Sequence, residues 1–339
     1  MNILIAPLNW GLGHATRCVP IIRHFIEEKH NVVLASNGAA LSYLTTQFPS
    51  LTTIEIPGID IKYSDSDSQI WAMARQLPHI LAKSAAEHSA VKRYAKEHHI
   101  DMVISDNRFG LFGTAPHTTY ITHQLTIMLP PTMKWAKIIG RRLHRLIINR
   151  YNECWIPDDP ELKLSGDMAN NQPLPRNAKT IGILSRFGSF EPNPEQKKRH
   201  FTNNTATTAD IKQSGLPTHV DVFIPLSGPE PHKSILYTKL FDKYKGSTSI
   251  VLFLQGRPST SIDVSQEQNI FTASHLPDHI FAYYLHADHT DHIICRSGYS
   301  TIMDLAATHY HLSAVTLIPT PGQPEQEYLA KTIKNQKSP

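Results

Sequence analysis

Apolar and polar positions follow a repeating order from the start of the chain. Asn2-Ile3-Leu4-Ile5-Ala6 is an apolar run of strand length, a glycine-bearing turn follows, and a helical spacing of apolar residues continues through Phe25. A second strand-length run, Asn31-Val32-Val33-Leu34-Ala35, comes next. Strand, glycine loop, helix and strand are the opening of a doubly wound α/β domain. The pattern predicts further strands over 53–56, 102–105, 119–122 and 153–156, with helical stretches over 69–99 and 133–150.

The grammar then breaks. Residues 157–176 hold Pro157, Pro160, Pro173 and Pro175 with little periodic apolar content, and 191–217 is polar and rich in Asn, Thr, Gln and Lys. These read as connections. The order restarts with a strand over 220–226, a Ser227-Gly228-Pro229 turn, a helix from about Ser234, and strands over 249–254, 269–271, 292–295 and 314–318. Two Rossmann-like α/β domains with parallel sheets are therefore expected, 1–185 and 186–339, the second beginning with a polar linker to about 217.

Composition narrows this little. The chain has 339 residues, 40% hydrophobic and 18% charged, and 33 basic against 29 acidic residues give a net charge of +4. Disorder, collagen and a disulfide-stapled miniprotein are excluded, and a charge this dilute gives no reason to expect nucleic acid. No run approaches the ~20 apolar residues of a spanning helix. Met1–Pro7 lacks the basic start of a signal peptide, so a cytosolic protein is expected. Cys18, Cys154 and Cys295 are few and far apart, which fits buried, reduced thiols.

One local cluster changes the picture. Lys134, Lys137, Arg141, Arg142, Arg145 and Arg150 are interleaved with Trp135, Ile138, Ile139, Leu143, Leu146, Ile147 and Ile148. Such a helix either lies on an anionic membrane surface or turns its apolar stripe to a sheet with its cations solvated. The twenty histidines include His286, His289 and His292 beside Asp288 and Asp291. On a helix these three would fan over about 120°, so no metal is expected there.

Candidate chemistry lies in loops that follow strands. Gly11-Leu12-Gly13-His14 brings backbone close to a ligand at a helix start, where amides suit phosphate or a developing oxyanion. A dinucleotide fingerprint would need a third glycine where Thr16 stands and an acidic residue where Ser36-Asn37 stands, which counts against NAD. No GxxxxGK[ST] loop occurs. His14 is a candidate general base or a simple cap. Asp106 and Arg108 stand at the carboxyl end of one strand and His123-Gln124 just past another, where open α/β sheets bind ligands; the alternative is a capping Asp106 paired to Arg108. In the second half, Ser297 and Gly298, after Arg296, open a helix directly after a strand and suit a diphosphate. Asp304, seven residues beyond Ser297, is placed to reach ribose hydroxyls.

Assembled in this order, the motifs resemble the GT-B glycosyltransferases, specifically the MurG-like family 28 branch, over nearly the whole chain. Gly11-Leu12-Gly13-His14 resembles that family's first glycine loop, His123-Gln124 its His-Glu-Gln segment, and Ser227-Gly228-Pro229-Glu230 its second-domain loop. Arg296-Ser297-Gly298 with Asp304, then Pro319 and Gln326-Glu327, are similar to its donor site. Gln124, Asp304 and Glu327 depart from the family's Glu, Glu and Gln.

The resemblance implies two domains facing across a cleft and an inverting, metal-independent transfer of a hexose, N-acetylglucosamine by analogy, from a UDP-sugar to a lipid-linked or carbohydrate acceptor. His14, with Asp106 as second choice, would be the base. Gly11, Gly13, Arg108, His123 and Gln124 would meet the acceptor. Ser227, Gly228, Arg296, Ser297, Gly298, Asp304, Gln326 and Glu327 would meet the donor. No cofactor is implied. A lipid-linked acceptor would bring the basic helix to the inner face of the membrane. The competing readings are a UDP-sugar 2-epimerase of the same fold and a non-catalytic sugar-nucleotide or lipid-binding protein.

Overall fold

The computed structural model describes residues 1–58, 69–126, 134–170, 173–188, 190, 205–256 and 262–336. The chain forms two compact units, Met1–Lys198 and Arg199–Pro339. The first runs β1 (Asn2–Pro7), α1 (Gly13–Glu27), β2 (Asn31–Ser36), α2 (Gly38–Gln47), β3 (Thr52–Glu55), α3 (Gln69–Glu97), β4 (Met102–Asp106), β5 (His117–Ile121), α4 (Lys134–Ile148), β6 (Glu153–Ile156) and β7 (Ala178–Thr180). Its strands pair in parallel in the order β3-β2-β1-β4-β5-β6-β7.

The inner strands read as unbroken apolar runs because both faces are covered. Ile3, Ile5 and Ile104 pack with Cys18, Val19 and Ile22 of α1 on one face, while Leu4, Ala6 and Val103 pack with Val91 and Ala95 of α3 on the other. All three cysteines are buried thiols.

The second unit runs α5 (Thr208–Gln213), β8 (Val220–Pro225), α6 (His232–Tyr244), β9 (Val251–Leu254), β10 (Val264–Glu267), β11 (Ile270–Ala273), α7 (Asp278–Tyr284), β12 (Thr290–Arg296), α8 (Tyr299–Ala307), β13 (Val315–Ile318) and α9 (Pro324–Gln336). The sheet order is β10-β11-β9-β8-β12-β13, parallel except for the β10–β11 pair. In both sheets the connection direction reverses beside the first strand, between β1 and β4 and between β8 and β12. Such switch points open a crevice at the carboxyl ends of the strands.

α4 does not turn its whole apolar stripe inward. His144 and Ile148 are buried and Ile147 is half-buried, but Ile138, Ile139, Leu143 and Leu146 are 52–63% exposed. The side chains of Lys134 and Lys137, expected among the cations, and of Trp135, expected in the apolar stripe, lie outside the described residues.

The first switch point is braced from below by Arg108, 0% exposed. Its Nε donates to Pro7 O at 3.0 Å, its Nη1 to Pro57 O and Glu87 Oε1, and its Nη2 to Ser36 Oγ and to Asn37 Oδ1 at 2.8 Å. One guanidinium thus joins β1, β2 and α3 beneath the end of β4. Glu87 is equally buried, so its charge is tolerated only as the partner of Arg108. Glu87→Ala should cost about 3–5 kcal/mol by leaving Arg108 unpaired, read as a lower urea midpoint at unchanged m-value; an unchanged midpoint would show that the pair does not brace the unit.

Candidate active site

β1 ends at Pro7, and the Leu8 amide donates to Asp106 O at 3.0 Å, so the chain leaves the sheet beside the end of β4. Gly11 then takes φ +76°, a left-handed conformation that L side chains rarely adopt, while an added Cβ would meet nothing within 4 Å. Backbone conformation, not space, requires glycine there. α1 begins at Gly13 with no side-chain cap and no acidic residue in its first turn. His14, Arg17 and Cys18, spaced i, i+3 and i+4, therefore project on one face towards β4. At the end of β4 Asn107 adopts φ +59°, tolerated by Asn, and accepts a bond from Tyr120 OH at 2.9 Å. This turn leaves Asp106 as the last strand residue, wholly buried.

The side chains meet around Asp106. Its Oδ1 faces His14 Nδ1 at 3.1 Å, and its Oδ2 accepts from Arg17 Nε at 2.6 Å and from Cys18 Sγ at 3.6 Å. Arg17 Nη2 also donates to Asp106 Oδ1 and lies 2.8 Å from His14 Nδ1, while Nη1 lies 2.9 Å from His123 Nδ1. The contacts of His14 fall on Nδ1; its Nε2 has no partner among the described residues. Gln124 lies beside His123, 3.5 Å from its Nε2, with its amide donating to Thr122 Oγ1.

Burial alone would push the Asp106 carboxyl up; the Arg17 guanidinium, aided by His14, outweighs it and holds the group well below the usual carboxylate range. Burial lowers His14 from its ordinary value, Arg17 adds to that, and Asp106 opposes it. Burial also pushes the Cys18 thiol well up, so that sulfur is no nucleophile. The site is thus a fixed carboxylate and a guanidinium out of water beside a neutral, half-buried imidazole.

Of the residues expected here, His14, Asp106 and His123 come together through Arg17, to which the sequence reading gave no role. Its position three residues after His14, beside the buried Cys18, was the available signal: a cation on a helix's buried face requires an anion. Arg108, expected on the acceptor, is instead engaged by its own chain, as described above.

The second switch point collects the expected donor residues. Gly228, after β8, has φ +100°, and a Cβ there would stand 3.4 Å from Thr320 Oγ1. Arg296 ends β12 with Nη1 on Pro319 O at 2.9 Å and Nη2 on His232 O at 2.7 Å, tying together the ends of β12 and β13 and the start of α6. Ser297 and Gly298 precede α8 rather than begin it, Gly298 standing at the cap position. Ser297 Oγ donates to Gln326 O at 2.7 Å, and the Gln326 side chain accepts from the Thr320 amide at 2.9 Å and donates to Gln323. Asp304 is buried in α8, while Ser227 and Glu327 are exposed. Among the clustered histidines, His286 Nδ1 lies 3.4 Å from Asp288 Oδ2, His289 stacks on Tyr283, and His292 Nε2 lies 2.8 Å from Thr316 Oγ1.

Residues 1–129 match the family described as Glycosyl transferase family 1. No curated protein matches the chain. Solved structures similar to it include the glycosyltransferase SnogD from Streptomyces nogalater, at 14% identity and TM-score 0.55 over 98% of this chain and 84% of that one. Arabidopsis thaliana UGT89C1 is similar at 10% identity and TM-score 0.60, over 99% and 82%. Phytolacca americana UGT2, solved with UDP-2-fluoro-glucose and pterostilbene, is similar at 12% identity and TM-score 0.57, over 99% and 83%. The likeness is one of fold, and the fold is that of the GT-B glycosyltransferases.

Buried neutral histidines make acid costly. Burial pulls His144 from its ordinary 6.5 down to about 4, and His14 is lowered too, so the unfolded chain binds protons here that the native one refuses. Stability should be complete above pH 6.5 and fall as pH drops towards 4. His144→Asn should remove about one proton's share of that slope, ~1.4 kcal/mol per pH unit, in urea unfolding across this range; an unaltered slope would mean that His144 is charged in the native state.

Proposed function

We propose that the chain is an inverting glycosyltransferase that moves a hexose, N-acetylglucosamine by the family 28 resemblance, from a UDP-sugar to a hydroxyl of a lipid-linked or glycan acceptor. The observation that carries this reading is the His14 Nδ1–Asp106 contact of 3.1 Å between the first turn of α1 and the end of β4. It leaves the other ring nitrogen for an acceptor proton. The donor class follows the GT-B fold, represented by a relative solved with a UDP-sugar analogue.

In this scheme His14 Nε2 takes the acceptor proton as the acceptor oxygen bonds to the anomeric carbon. The bond from that carbon to the diphosphate oxygen breaks from the opposite face, UDP leaves with the electron pair, and the configuration inverts. Asp106 stabilises the charge that arrives on the ring. The amides that follow Gly298, with the Ser227-Gly228 loop, hold the departing diphosphate; fixed dipoles need no reorganisation as charge develops, and the scheme uses no divalent ion. Asp304 holds the ribose and the exposed Glu327 faces the hexose, while Gln326 fixes the loop after β13 through Thr320 and Gln323. Gly11, Gly13, His123 and Gln124 line the acceptor side.

His14→Ala should lower kcat by about 10²–10⁴-fold while UDP affinity, read by calorimetry, stays within a fewfold of wild type. Turnover within a fewfold of wild type would remove His14 as base. UDP-N-acetylglucosamine supplied alone distinguishes the competing epimerase, which would release N-acetylmannosamine or UDP without any acceptor.

The outer face of α4 fits an acceptor held in a membrane. Ile138, Ile139, Leu143 and Leu146 lie exposed beside Arg141, Arg142 and Arg145, and no acidic residue occurs from 133 to 152. An anionic bilayer at the cytoplasmic face offers both an apolar layer and negative headgroups. Among the described residues no helix is long and apolar enough to cross the membrane, so contact would be peripheral. The protein should sediment with phosphatidylglycerol vesicles and little with phosphatidylcholine ones. Leu143→Asp with Leu146→Asp should weaken this about tenfold or more; binding equal to wild type would exclude α4 as the contact.

A further inference from the structure

Arg17 bears on what His14 does. A guanidinium carries five N–H groups and accepts nothing, so an N–H aimed at a ring nitrogen requires a lone pair there. Arg17 Nη2 stands 2.8 Å from His14 Nδ1 and Nη1 stands 2.9 Å from His123 Nδ1. A neutral His14 that accepts from Arg17 carries its proton on Nε2. A general base requires the reverse, with Nδ1–H donated to Asp106 Oδ1 and Nε2 bare. Both partners address the same nitrogen with opposite demands, and the donor is the nearer, 2.8 Å against 3.1 Å.

We infer that Arg17 is a positioning residue that keeps His14 in the Nε2–H tautomer at rest, so that the ring becomes a base only when Nη2 gives up Nδ1 and Asp106 accepts from it instead. The exchange is neutral overall: Nε2 loses one proton to water and Nδ1 gains one. The guanidinium is fixed for this task, being 2% exposed and held by Asp106 through Nε at 2.6 Å. The charged and titratable groups facing His14 are Arg17 on its own helix, Asp106 at the end of β4 and His123 after β5. Rested in this form, the site has no base ready to deprotonate water beside a bound sugar donor. The base role rests on the function proposed above; the tautomer does not.

The test is the ¹⁵N spectrum of histidine-labelled full-length protein at pH 7.5, with the His14 signals assigned by their loss in His14→Gln. The expected result is a bare Nδ1 and a protonated Nε2 in wild type, with Nδ1 moving to the protonated range in Arg17→Met, where Asp106 alone addresses it. A protonated Nδ1 in the wild-type protein overturns the inference, as does a bare Nδ1 in a folded Arg17→Met variant. If Arg17→Met fails to fold, the wild-type spectrum alone decides. No substrate is needed, so full turnover in His14→Ala would defeat the base role proposed above and leave this result standing.

Discussion

The first unit depends on a carboxylate held as an anion where water does not reach. Asp106 is wholly buried, and such a group is pushed towards its neutral acid unless fixed charge and donors outweigh the lost hydration. Arg17 does this with two nitrogens, and the helix that carries Arg17 is set against β4 by the same contact. The position of α1, the ionisation of Asp106 and the aim of His14 are therefore one arrangement. The Asn107 turn, the Tyr120 hydroxyl on Asn107 and the Leu8 amide on Asp106 O maintain its backbone.

Parallel strands covered on both faces read directly from the sequence, which is why β1, β2, β4, β8 and β12 were legible to within a few residues. β7 has three residues and α5 six, too short to show a period, and β10 is a polar, mostly exposed edge whose residues carry no strand signature. The strand ends located the candidate residues, since chemistry in open sheets collects there. Side-chain partners were not legible. Arg108 sits two residues from Asp106, yet it turns beneath the sheet to Glu87, 21 positions earlier, and nothing in the local pattern names that partner. Ser297 likewise reads as a phosphate ligand, while its hydroxyl reaches Gln326 O, 29 positions away.

The two units solve the same problem with different parts. In the first, a charged pair on a helix and a strand end defines the site. In the second, Arg296 joins the loops after β12 and β13 to the start of α6, and the hydroxyl and amide bonds among Ser297, Thr320 and Gln326 close the ring. At 10–14% identity to the solved structures, what is shared is the fold, and in this chain that fold sets strand ends and helix starts beside a switch point in each sheet. The side chains that dress these positions are free to differ, so a fold of this kind names a class of chemistry more readily than a substrate.

The Arg108 brace also decides where the first unit yields. With Pro7, Ser36, Asn37, Pro57 and Glu87 all bonded to one side chain, the carboxyl edges of β1 and β2 and the flank of α3 behave as a single plate. The loop above this plate is anchored at both ends, Asn9 by its Oδ1 on the Ala40 amide at 3.1 Å and Leu12 by packing on the core beneath α1, so the left-handed turn at Gly11 is spanned between two fixed posts.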